Sequence, residues 1–116
     1  MRDSVLLEKS YNFALRMIKL FKFLAEEKRE YVLSKQLLRS GTSIGANIEE
    51  ANQAESKVDF IHKLSIAHKE AFETNYWLRL LRDSDILTKK QAESLIDDCE
   101  ELQKLLTSSI KTSKNI

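Results

Sequence analysis

The sequence predicts an all-α chain folded as an antiparallel up-down-up-down four-helix bundle over residues 1–116. Three observations predict it. The 116 residues hold no proline and only two glycines, so the residues that interrupt helices are almost absent. Apolar residues recur at spacings of three and four in four segments, about 5–28, 31–54, 57–82 and 89–112, which is the period of an amphipathic helix. The links between these segments are short, and short links force neighbouring helices to run antiparallel. A bundle about 35 Å long follows from the rise per residue.

The first helix is expected to open with Ser4 as its N-cap. Leu6, Phe13, Met17, Leu20, Phe21 and Leu24 mark the centre of its apolar face. Leu7, Ala14, Ile18 and Ala25 widen that face to about half the circumference, which is more than a small bundle needs. Lys9, Arg16 and Lys19 line the opposite side, with Lys22 further round. Such a row is either a solvated face or a stripe that meets phosphates. The charged run Glu26 to Glu30 makes the connection to the second helix.

The second helix carries the stretch around which the chain is organised, Gln36 to Glu50. Gln36, Ser40, Ser43, Asn47 and Glu50 step by four, three, four and three, so they form one line on one face. Beside that line runs an apolar stripe of Leu33, Leu37, Ile44, Ile48 and Ala51. Gly41 and Gly45 sit one turn apart on the far flank. Each glycine lowers helix stability by about 1 kcal/mol relative to alanine, and close approach of another helix is the simplest compensation. A phosphate-binding loop would need a lysine beside Ser/Thr after a longer glycine spacing, and a preceding strand. Neither is present.

The third helix starts after Ser56, with Asp59 three residues on as a weaker form of the capping box. Phe60, Leu64, Ala67, Ala71, Leu78 and Leu81 form its core face. A second stripe, Ile66, Glu70, Glu73 and Trp77, lies about a quarter-turn away and marks candidate subunit contacts. After the Asp83-Ser84-Asp85 turn, Thr88 caps the fourth helix and Gln91 completes a capping box. The apolar stripe there runs from Ala92 through Leu95, Ile96, Cys99, Leu102 and Leu106 to Ile110. Folding helices two and three back on each other at Glu55 pairs positions whose numbers sum to about 111. Gln36 then lies level with Asn75, and Ser43 level with His68, which predicts a polar seam of Gln36, Ser40, Ser43, Asn47, Glu50, His68 and Asn75.

Composition bounds function mainly by exclusion. The formal charge is +1, so the total predicts no polyanion partner, but its distribution is uneven. Residues 1–40 hold nine Lys/Arg against five Asp/Glu, and residues 41–110 hold eight against thirteen. A single cysteine, Cys99, fits a reducing cytoplasm, and neither a membrane span nor a leader segment is expected. His62 and His68 lie six apart on a helix and cannot share a metal ion. A bundle di-metal site wants two Glu-x-x-His pairs plus further glutamates. No metal, cofactor or small-molecule substrate is expected, and the absence of an activated nucleophile argues against an enzyme. Two function classes remain: a homo-oligomeric scaffold that binds a protein partner, and a nucleic-acid-binding oligomer using Lys9, Arg16, Lys19, Lys22 and Arg39.

QLLRSGTSIGANIEEA (Gln36 to Ala51) and DFIHKLSIAHKEAFETNYWLRLL (Asp59 to Leu81) resemble the bacterial four-helix bundle proteins encoded in intervening sequences of 23S ribosomal RNA genes. The resemblance covers nearly the whole chain. Its most specific parts are Gln36, Arg39, Ser40, Ser43, Ile44, Ala46, Asn47 and Glu50, then Ala67, Glu70, Glu73, Trp77 and Leu78. It implies a homopentamer of antiparallel bundles with no known enzymatic activity. The chain is also similar to the accessory variability protein of diversity-generating retroelements, a basic pentamer that binds nucleic acid and a reverse transcriptase. The near-neutral charge here departs from that relative, and Asp83-Ser84-Asp85 stands where the family often turns with glycine.

Overall fold

Four α-helices account for nearly all of the described residues, 4–115, in the computed structural model: α1 (Ser4–Glu26), α2 (Leu33–Ala51), α3 (Lys57–Asp83) and α4 (Lys89–Lys114). No strand occurs among the described residues, and no helix is long and apolar enough to cross a membrane. Cross-helix pairs fix the directions. Gly41 and Gly45 of α2 lie against Met17 and Ser10 of α1. Ser40 and Glu50 of α2 meet Thr74 and Lys63 of α3. His68 and Asn75 of α3 meet Thr107 and Gln103 of α4. Lys9 and Arg16 of α1 meet Glu101 and Asp98 of α4. In every pair one number rises as the other falls, so all four neighbouring pairs are antiparallel. The long axis is 46 Å, longer than the expected length, and α3 alone, at 27 residues, rises about 40 Å.

One core runs between the helices. Leu6, Met17 and Leu24 of α1, Leu37, Ile44 and Ile48 of α2, Leu64 and Leu78 of α3, and Leu102 and Leu106 of α4 are essentially solvent-free. The two glycines do what close packing requires. A Cβ on Gly41 would stand 2.5 Å from Cγ of Met17, and one on Gly45 would stand 3.3 Å from the backbone oxygen of Ser10. α1 and α4 touch along far less of their length than the other three neighbouring pairs. Two ion pairs bridge that edge.

The helix ends explain where the boundaries differ from expectation. α1 already includes Ser4, so any cap for it lies outside the described residues. It stops at Glu26 rather than near residue 28, and Arg29 reverses the chain in the left-handed region at φ 53°. The Glu30 carboxylate then accepts hydrogen bonds from the amides of Val32, Leu33 and Ser34, at 3.1, 3.0 and 2.7 Å. α2 therefore starts at Leu33, its free amides satisfied from a residue that sequence reading treated only as a link. Its C-terminal end at Ala51 falls short of Ala54 because the chain tightens there: the amides of Gln53 and Ala54 bond the carbonyls of Glu50 and Ala51. Ser56 caps α3 through the Asp59 amide, and Thr88 with Gln91 forms the full capping box of α4. Asp85 takes φ 63° at the end of α3, the conformation for which glycine is the usual choice. Replacing Glu30 with alanine should destabilise the fold by about 1 kcal/mol, while Glu30→Gln should recover part of it. Urea unfolding followed by circular dichroism measures both.

Candidate interaction surfaces

The line Gln36–Ser40–Ser43–Asn47–Glu50 divides once its neighbours are visible. Ser40 is fully buried, and its hydroxyl lies 2.9 Å from that of Thr74, itself fully buried. Gln36 is exposed. Ser43 donates to the Arg39 carbonyl and Asn47 to the Ser43 carbonyl, so both hydroxyl and amide serve their own helix. Glu50 pairs with Lys63 at 2.9 Å, and that bond raises the lysine pKa. The structure does not bring His68 and Asn75 to this line. His68 Nε2 lies 2.9 Å from Thr107 Oγ1, and Asn75 donates to Gln103 Oε1 at 3.1 Å, so both belong to the boundary between α3 and α4. The expected pairings of Gln36 with Asn75 and of Ser43 with His68 are therefore replaced. Register sets height along the axis, but one residue step turns a helix by about 100°. Thr74 faces α2 where Asn75 was expected to. The Thr74–Ser40 pair was within reach of the same register argument, since 40 and 74 also sum close to 111.

The candidate phosphate-binding cations are mostly occupied. Lys9 pairs with Glu101 at 3.3 Å, and Arg16 pairs with Asp98 and reaches the Ser94 hydroxyl at 3.1 Å. Arg39 pairs with Glu73 and lies 3.4 Å from Glu70. Lys19 and Lys22 are exposed and have no ion pair among the described residues. What sequence reading took as a stripe is thus a row of cross-helix ties with two free lysines.

Glu70, Glu73 and Trp77, taken as candidate subunit contacts, form one cluster with Arg39 across α2 and α3. Glu73 accepts from Trp77 Nε1 at 3.1 Å as well as from Arg39. Ile66, like Glu70, Glu73 and Trp77, is half-buried. Larger apolar exposure occurs elsewhere. On α1, Tyr11, Leu15 and Ile18 are 62%, 46% and 41% exposed, and on α3, Phe72, Tyr76 and Leu80 are also open. Ile18 was among the residues that widened the apolar arc read from the sequence. The α3 residues were missed because Phe72, Tyr76 and Leu80 step by four and look like part of an ordinary packing face.

Neither titratable residue of note is set up for chemistry. Cys99 Sγ donates to the Ala71 carbonyl at 3.2 Å, and burial pushes its pKa up to about 12, so the thiolate nucleophile does not form near neutrality. His68 packs edge-on against Phe72, and burial lowers its pKa below the usual value. The unfolded chain therefore binds a proton at His68 more readily than the folded one. Stability should fall as pH drops through 6.5, and His68→Gln should flatten that dependence in chemical denaturation at pH 7.5 and pH 5.5. No group of three or more His, Cys, Asp or Glu among the described residues is arranged to hold a metal ion.

Comparison with known proteins places this geometry in a family. The family model described as 23S rRNA-intervening sequence protein matches residues 2–108. The fold is similar to a crystal structure of a protein with unknown function from the S23 ribosomal protein family of Bacteroides thetaiotaomicron. That likeness has 57% sequence identity and a TM-score of 0.93 and covers 96% of this chain and 99% of the other. No curated protein matches. With the four antiparallel helices and the glycine-lined contact of α1 and α2 already described, a match over nearly the whole chain is decisive: this protein belongs to the 23S rRNA-intervening sequence protein family.

Proposed function

We propose that this chain is a non-enzymatic, self-associating helical scaffold whose working form is a homo-oligomer able to present a protein partner with repeated copies of one surface. The observation that carries the reading is the exposed apolar stripe Tyr11–Leu15–Ile18 on α1. A contiguous apolar patch on an otherwise charged helix is a place for a partner, and a copy of the same chain is the commonest one. α1 and α3 are not neighbouring helices but diagonal in the bundle, and their outer faces point away from each other. A two-fold contact would cover only one such face. A head-to-tail contact between the α1 face and the Ile66–Trp77 flank of α3 would cover both, and contacts of that kind close into rings. The number five comes from the family resemblance alone.

An Ile66→Asp, Trp77→Ala double variant should dissociate to monomer while keeping its helicity, as should Leu15→Asp with Ile18→Asp. Size exclusion with light scattering, paired with circular dichroism, reads both outcomes. Helical variants that keep the wild-type mass would remove these faces from the contact. Nucleic-acid binding through the α1 stripe has less support, because Lys9, Arg16 and Arg39 already hold carboxylates. A gel shift with structured RNA across salt concentrations tests it: steeply salt-sensitive binding lost on Lys19→Glu, Lys22→Glu would favour that reading over the scaffold.

A further inference from the structure

The end of the bundle where α2 turns into α3 and α4 finishes holds a pocket of about 300 Å³. That is the lower end of the size range for small-molecule sites. Ala51 and Ala54, at the end of α2, and Phe60 of α3 give it an apolar wall, and Ser56 and Ser113 give it a polar one. Ser113 is the informative residue. It is 3% exposed, and its hydroxyl has no hydrogen bond among the described residues. Yet no side-chain oxygen or nitrogen among the described residues is sealed away without a partner. The small part of Ser113 still open is therefore its hydroxyl, and the pocket is what it opens to. A polar group enclosed this far is ordinarily hydrogen-bonded, so a bound polar atom completes it.

The start of α3 supplies further donors. The Asp59 amide is taken by Ser56 Oγ at 3.1 Å and the Phe60 amide by the Ser56 carbonyl at 2.9 Å, while the Val58 amide has no partner among the described residues. Ser56 Oγ accepts in its contact, so its own proton remains to be donated. The positive end of the 27-residue α3 dipole adds to these donors. The end of α2 does little to balance it, because the carbonyls of Ile48, Glu50 and Ala51 already accept from the amides of Asn52, Gln53 and Ala54. At the end of α4, Lys111 and Lys114 answer that helix's negative pole. Nearby carboxylates are also met by cations: Glu55 shares the rim with Lys57, and the Asp59 charge acts on Lys63, one turn along α3. Donors gathered beside an apolar wall select an anion with a hydrophobic body. Inorganic phosphate would leave Phe60 and the two alanines uncovered, and a hydrocarbon would leave the donors idle.

From this arrangement we propose that the pocket binds a small organic carboxylate. Its oxygens accept from Ser113, Ser56 and the Val58 amide, and its apolar body lies on Ala51, Ala54 and Phe60. The site shares no residue with the faces assigned to self-association and is independent of that reading. Isothermal titration calorimetry of the full chain at neutral pH, with phenylpropionate and its neutral amide as probes, tests it. The acid should bind with millimolar or tighter affinity, and the amide at least about tenfold more weakly. Ser113→Ala should weaken the acid at least about fivefold and the amide less. Ala54→Leu, at a half-buried position outside the helices, should weaken both at least about tenfold by filling the pocket. Circular dichroism confirms that both variants are helical. Equal concentrations of inorganic phosphate should not displace the acid. Acetyl-alanyl-leucine binding more tightly than the acid would make the carboxylate a polypeptide C-terminus, and weaker binding would make it a free acid. No heat of binding at millimolar acid, equal affinity for acid and amide, or full affinity in helical Ser113→Ala would overturn the assignment.

Discussion

Gly41→Leu should destabilise the protein by at least about 3 kcal/mol. Even a single methyl group at this position would stand 2.5 and 2.7 Å from Cγ and Sδ of Met17, and Met17 is fully buried in the core. A methionine can rotate, but Met17 is fully buried, so a new rotamer must displace core neighbours. Extra carbons at a close-packed contact push side chains off their rotamers or the helices apart. For a domain of this size the loss lowers the melting temperature by more than about 10 °C. Gly41→Ala gives the sharper mechanistic reading, because alanine also brings about 1 kcal/mol of helix propensity that opposes the clash. Combined with Met17→Ala, it should lose less than the sum of the two single effects by about 1 kcal/mol, since the new methyl enters the space the methionine left. Purely additive effects would mean that the two residues do not meet.

Leu78→Ala should be the second large loss, about 2–5 kcal/mol, because Leu78 is fully buried and its removal leaves a cavity among residues of all four helices' core cluster. The paired control on the same helix is Val58→Ala. Val58 is 79% exposed, and truncating it should stay within about 0.5 kcal/mol of wild type. Equal effects at the two positions would mean that α3 is rotated from the face described here. Thermal unfolding with a common two-state fit compares them directly.

Much of this architecture was legible in the sequence because it depends on local rules. Thr88 and Gln91 close a capping box from their spacing alone, and Ser56 caps α3 as its position suggests. The absence of proline leaves the 3.6-residue period uninterrupted, and the two glycines mark the contact of α1 with α2. What was not legible depends on azimuth and on long side chains. Asn75 and His68 sit at the expected height but face α4 rather than α2. Arg16 and Arg39 look free in the sequence, yet each spans to a carboxylate on another helix, 82 and 34 residues away in the chain. Glu30 lies in a charged run with no capping pattern, and only the left-handed turn at Arg29 aims its carboxylate at three amides. The pocket at the end of the bundle draws Ala54, Phe60 and Ser113 from a turn and two helices, and no single segment announces it.

The apolar faces on α1 and α3 carry the functional reading, and solution mass tests it most directly. Size exclusion coupled to light scattering, on the wild-type chain at micromolar concentration, should give a mass several times the 13.5 kDa of one chain, and five times if the family resemblance holds for subunit number. A single species at 13.5 kDa would show that water tolerates Tyr11, Leu15 and Ile18 at the surface of a monomer, and the scaffold reading would be wrong.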